Sequence, residues 1–344
     1  MVIENITIGQ RGQRLAGIST KVDNASSMTL GQDSMLGQAD MLGWDMQTRA
    51  LENFEGLVHQ GKNEVTKINS STGEREVMNG VVVGSNFVPI QLEHAFSIGD
   101  FLIQLGATPK SAGVLRNGRL VFATLDLHKE IMVGGIDKLT SEFILVMGND
   151  GSSSLKGIAN MTRLYCTNQI PAQTRNSKNR SLSIRHTASN NVRISQAKEV
   201  IQNANNSIDE FGAVAEKLVN VPMQNDQFLE LATNIYPKPT VTEDVPNTRS
   251  VSRWSNMIDE LESIFLGDGS AGDTTGQVGN TAWCGYNALT ERIDWYRSSK
   301  STDNSSLRSA QALGVVGQTG KTKINILSQV EQFVDDNAKQ LYAV

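Results

Sequence analysis

The sequence predicts an α+β fold: an antiparallel β-meander with a long packing helix, followed by an all-helical C-terminal part. Three observations carry this. Residues 57–167 hold successive apolar stretches of strand length joined by turn-forming loops. Short connections between such stretches make antiparallel neighbours. Beyond residue 190, apolar residues recur every three or four positions instead. At 344 residues the chain is long enough for a full core, in one large domain or two smaller ones.

Taken in order, residues 1–38 are rich in Gly, Ser, Gln and Met without sustained periodicity, and read as an arm that orders against a neighbouring subunit. Ala39 to Asp45 reads as a short helix leading to a strand. Leu57–Ile68 and Val77–Phe87 are strands around the Ser70-Ser71-Thr72-Gly73 turn. Gln91–Leu105 is a helix whose apolar face is Leu92, Ala95, Phe96, Leu102 and Ile103, with Gly99 on the same face. Ala112–Leu127 is a hairpin, because Asn117-Gly118 favours a type I′ turn, whose two central residues need positive φ. Arg116 and Arg119 bracket that turn and would project at its tip. Glu142–Gly148 and Leu155–Thr167 complete the meander around Asn149-Asp150-Gly151-Ser152. Gln173–Ser189 is basic and ambiguous.

Asn191–Val219 is a long helix, with Ile194, Ala197, Ile201, Ala204, Ile208, Phe211, Ala215 and Leu218 on one stripe. Pro222 ends it. Further helices are expected over Val251–Leu266, Thr281–Tyr296, Ser305–Leu313 and Ile324–Leu341. On the helix 281–296, Trp283, Tyr286 and Trp295 read as core.

Charge is distributed unevenly. From Gly151 to Lys198 the chain carries Lys156, Arg163, Arg175, Lys178, Arg180, Arg185, Arg193 and Lys198, and no Asp or Glu. The whole chain is net −5, so the rest sums to −13. A +8 segment inside an acidic protein points to a polyanion, because ordinary surface loops mix both signs. Arg163 and Tyr165 alternate on the fourth strand of the meander, with Arg175, Lys178, Arg180, Arg185 and His186 following. Cations neutralise phosphates, and a Tyr165 ring stacks on bases at about 1–3 kcal/mol each.

Other constellations are weaker. Gly314 to Thr322 resembles a phosphate-binding P-loop, yet its first glycine is one residue too distant, and it reads as a turn between helices. Asp126, His128 and Glu130 would share one strand face and seat a divalent metal for phosphodiester hydrolysis. No Gly-x-Ser-x-Gly elbow is present. Cys166 and Cys284 are too far apart in sequence for a metal knuckle and read as buried free thiols. No apolar run reaches the roughly 18–20 residues that span a bilayer, and the first residues lack an apolar signal core, so a cytoplasmic location is expected.

Several segments resemble a phage/plasmid-like family known as domain of unknown function 932. They are Gly151-Ser152-Ser153-Ser154-Leu155, Arg163-Leu164-Tyr165-Cys166-Thr167-Asn168, Ser183-Ile184-Arg185-His186-Thr187, and Thr281-Ala282-Trp283 with Tyr286-Asn287-Ala288-Leu289-Thr290-Glu291. Gly80 to Phe96 is similar to the family's entry segment. The resemblance covers roughly residues 40–330 and implies a mobile element as the source. The order of elements is also similar to that of phage single-strand annealing proteins of the RecT and Red-beta type, as a fold-level analogy.

The expectation is therefore a core over 39–220 that binds single-stranded DNA, a helical region over 221–344, and a homo-oligomer, ring or filament, that aligns the 151–198 segments into a basic groove. Lys156, Arg163, Arg175, Lys178, Arg180, Arg185, His186 and Arg193 would line it with Tyr165, and Arg116 and Arg119 would clamp from the other side. Annealing needs no cofactor, because base pairing drives it. The alternatives are a metal-dependent nuclease, or a mobile-element factor whose basic face meets an acidic host protein.

Overall fold

A computed structural model describes residues 44–115, 118–163, 169–172, 181–190, 204–240, 248–267, 279–296 and 317–342. The expected arm 1–38, the helix 305–313 and the first part of the helix 191–219 lie outside these residues, as do Asn117 and Cys166.

Two antiparallel sheets form the β part. The first contains β1 (Trp44–Glu52), β2 (Val58–Asn69) and β3 (Arg75–Gly84) in that order. Trp44 and Asp45 are thus already strand, not the end of a short helix, and Trp44 pairs with Asn69 across β2. Met46, Val65, Met78, Val81 and Val83 form this sheet's own core, with Phe87 packed on it. Helix α1 (Leu92–Gln104) follows, and buries Leu92, Ala95, Phe96, Gly99 and Leu102 as its spacing requires.

The second sheet is the expected meander. It runs β4 (Thr108–Leu115), β5 (Leu120–Val133), β6 (Asp137–Gly148), β7 (Leu155–Arg163) and β8 (Gln169–Pro171). A short β9 (Ser181–Ile184) pairs with the other half of β7. β6 is central, and Phe143 to Met147 is a continuous buried apolar run, as a strand covered on both faces requires.

The helical part contains α2 (Ala204–Val219), α3 (Asn225–Ile235), α4 (Thr248–Leu266), α5 (Ala282–Glu291, continued by a π-turn to Tyr296) and α6 (Gly317–Tyr342). One continuous cluster of buried side chains runs from Ile90 to Val334 and joins α1, one face of the second sheet and these helices. α5 is buried all round, including Trp283 and Tyr286. Cys284 is a buried free thiol there.

α6 begins before the expected Ile324. Gly320, Lys323, Leu327, Val330 and Val334 make its buried stripe, so Gly320 sits where the helix needs no side chain rather than in a turn. The P-loop-like segment is therefore, from Gly317 on, the first turns of a helix, and the Thr322 hydroxyl donates to the Gln318 carbonyl at 2.8 Å.

Gly118 and Arg119, on the described side of the β4–β5 connection, do not project. Gly118 is buried at φ 87°, and a Cβ there would lie 2.5 Å from the Trp44 ring. Asn149 Nδ2 donates to the Gly118 carbonyl at 2.9 Å. Arg119 donates to the Asn79 carbonyl, inside the irregular stretch of β3. The first sheet therefore covers Gly118 and Arg119, and Arg119 is an intramolecular tie rather than a clamp on a ligand. Gly118→Ala combines backbone strain with a clash. We expect it to lower the free energy of unfolding by about 2 kcal/mol, read from the denaturation midpoint, with a wild-type midpoint counting against this packing.

Candidate nucleic-acid interface

Ser181-Leu182-Ser183-Ile184-Arg185-His186 alternates strictly. Leu182, Ile184 and His186 are buried, while Ser181, Ser183 and Arg185 are exposed. This follows from the period of two along an extended backbone. β9 is hydrogen-bonded to β7 with Lys156 opposite Ser183 and Leu155 opposite Ile184. Ser154, Lys156, Ser183 and Arg185 therefore share the outward face, and the Ser154 and Ser183 hydroxyls lie 3.0 Å apart. This face presents hydroxyl donors and two cations with no carboxylate among them. Neither Lys156 nor Arg185 has an ion pair among the described residues. Lys156 is half-buried, and its pKa is lowered, first by burial and then by the charge of Lys321.

His186 faces inward and holds this strand end in place. Its Nδ1 accepts the Ile90 N–H at 3.1 Å, and its carbonyl accepts the Val88 N–H at 3.0 Å. The ring stacks on Phe87 at 4.7 Å. Burial pushes its pKa down to about 4, which the Ser153 backbone and the Asp150 charge offset only in part. His186 is thus a neutral structural group and not a phosphate contact.

Arg163 also departs from expectation. Its side chain is 1% exposed, and its Nε donates to Asp137 Oδ2 at 2.6 Å. Trp283 Nε1 donates to the same oxygen at 2.8 Å. A guanidinium committed to a buried carboxylate does not reach DNA. Arg163, Asp137 and Trp283 instead tie β7, the start of β6 and α5 together. Of the remaining residues expected at the site, Tyr165, Arg175, Lys178, Arg180, Arg193 and Arg116 lie outside the described residues.

The proposed metal face is absent. Between Asp126 and Glu130, three residues of β5 oppose the single Ser141 of β6, and His128 sits at φ 55°. The bulge interrupts the regular alternation of this stretch, although Asp126 and Glu130 keep one face and the His128 ring lies 3.5 Å from Asp126. Asp126 Oδ1 accepts the His128 N–H at 2.7 Å, and Glu130 pairs with Lys138. Among the described residues, no group of three His, Cys, Asp or Glu is placed to hold a metal ion.

Sequence reasoning missed Ser154, Ser181 and Ser183. The serines were legible as the polar half of a two-residue alternation.

The model of a domain of unknown function, DUF932, matches residues 81–313. The chain belongs to the DUF932 family. No curated protein and no solved structure matches it. The matched span takes in β9 and its exposed Arg185, together with the Asp137–Arg163–Trp283 tie. Among the described residues, no helix is long and apolar enough to cross a membrane.

Proposed function

We propose that this DUF932 protein binds single-stranded DNA through the outward face of β7 and β9 and promotes annealing as a homo-oligomer, in the cytoplasm of a cell carrying a phage or plasmid. The supporting observation is the acid-free face of Ser154, Lys156, Ser183 and Arg185, embedded in a 48-residue segment with no Asp or Glu in a chain of net −5. Phosphates are the common anion that such a strip of hydroxyls and cations accepts, and a strip along a sheet edge follows a backbone rather than one isolated ion. Base pairing supplies the driving force, so the reading requires neither nucleotide hydrolysis nor a metal.

The test is binding of a labelled single-stranded oligonucleotide across a salt series. Affinity should fall steeply with salt. Arg185→Gln should reduce the slope of log K against log salt by about 0.7, one phosphate contact on a single strand, without changing the melting temperature. Absence of binding at low salt ends the proposal. Annealing is read separately, as accelerated pairing of complementary strands without ATP.

A further inference from the structure

We propose that Thr108, His128 and Asp126 form a nucleophile, base and orienting group on the second sheet, able to take an acyl group from a carboxylic ester onto the Thr108 hydroxyl. This activity is separate from nucleic-acid binding and stands or falls without it.

Thr108 begins β4 and stands opposite Asp126 on β5. Its Oγ1 lies 2.9 Å from His128 Nε2, and His128 Nδ1 lies 3.5 Å from Asp126 Oδ1. A carboxylate beside Nδ1 keeps the ring hydrogen there, so Nε2 is the acceptor and the Thr108 hydroxyl donates to it. An alcohol becomes a nucleophile in such a setting: a base within hydrogen-bond reach, itself oriented by a third group. His128 holds its place in a strained backbone. It sits at φ 55°, the one non-glycine residue at positive φ among the described residues, and such strain gathers at functional sites. The bulge around it is tied on both sides. Asp126 Oδ1 accepts the His128 N–H at 2.7 Å, the Lys129 N–H donates to the buried Ser141 Oγ at 3.0 Å, and Lys129 Nζ pairs with Asp209 of α2 at 2.5 Å. Glu142 of β6, directly opposite Asp126, is taken up by Lys110 and by the Thr162 hydroxyl at 3.2 Å, which leaves Asp126 to the imidazole. The side chains of His128 and Asp126 are 53% and 37% exposed, so a substrate reaches them from solvent. The Thr108 Oγ1 bonds to the ester carbonyl carbon as its proton passes to His128 Nε2, and the alcohol leaves with that proton. Water then attacks the acyl-threonine and gives a proton to Nε2. The carboxylic acid leaves as Thr108 Oγ1 takes that proton back.

The test uses the full chain and p-nitrophenyl acetate, an activated ester whose leaving group is read by absorbance. An exposed imidazole attacks this ester unaided, so His59→Gln, at an exposed histidine of β2, is the control. Asp126→Asn keeps an acceptor for the His128 N–H, and His128→Asn places at positive φ a residue that tolerates it. Thr108→Val and His128→Asn should each lower the rate about 100-fold and Asp126→Asn about 10-fold, with Thr108→Ser close to wild type and His59→Gln without effect. Mass spectrometry of the acid-quenched wild type should place an acetyl group on Thr108. Equal rates for Thr108→Val and wild type overturn the assignment. So does a loss confined to His128→Asn, which would make the imidazole act on the ester or on water without the hydroxyl. An acetyl group found only on lysines overturns it as well.

Discussion

Arg163→Met should lower the stability of the fold by about 3–5 kcal/mol, the largest effect expected of any single substitution considered for this chain. Asp137 is 0% exposed, and its Oδ2 accepts from both Arg163 Nε and Trp283 Nε1. Removing the guanidinium leaves a carboxylate in the interior with only the indole N–H against it. The cost is that of an uncompensated buried charge, not of one lost contact. Removing both partners should be milder. Asp137→Leu with Arg163→Met takes away the charge and its counter-charge together, so the double variant should be more stable than Arg163→Met alone. Urea unfolding of the three proteins decides this. The same series separates scaffold from interface, because Arg185→Gln should weaken oligonucleotide binding at unchanged stability. An Arg163→Met protein that unfolds like wild type yet loses DNA binding would return Arg163 to the interface and dissolve the assignment of the tie.

Much of the β part was legible because its signals are local. The expected pairing of β4 with β5 is present, and the turns at 70–73 and 149–152 closed the neighbouring strands. The division into two sheets was not legible, since alternation marks a strand without naming its partner. Arg163 shows the limit most clearly. A cation on a strand in an acid-free segment reads as outward, and the carboxylate that buries it sits at the far end of the preceding strand, 26 residues back. Register across a hairpin, with Leu139 opposite Arg163, brings Asp137 there, and only tertiary packing adds Trp283. Arg119 failed for a related reason. A residue flanking a hairpin turn is exposed by default, but here another sheet meets Arg119. The metal face failed on backbone detail, because a bulge with positive φ at a non-glycine residue leaves no simple sequence mark.

His186 makes the stability of the protein depend on pH in a window where few other side chains do. Its folded pKa is depressed from 6.5 to about 4, with burial as the main cause. Above pH 6.5 the imidazole is neutral in both the native and the unfolded chain, so the native state carries no penalty. Between about pH 6.5 and 4 the unfolded chain takes up a proton that the native chain refuses. Stability therefore falls as pH falls through this window, by about 1.4 kcal/mol per unit at the steepest and about 3 kcal/mol in all. Protonation would also place a hydrogen on Nδ1, the atom that accepts the Ile90 N–H, and so breaks the link between the end of β9 and the segment leading into α1. Carboxylates titrate near the lower end of the same range, and a variant removes their contribution by difference. His186→Asn keeps a side-chain acceptor for the Ile90 N–H but has nothing to titrate. Unfolding free energies of wild type and His186→Asn, measured from pH 7 to pH 4.5, should converge as pH falls, since only the wild type loses this contribution. Parallel curves would show that the ring is not held neutral by the fold, and with that the reading of His186 as an inward anchor for the Arg185 strand would fail.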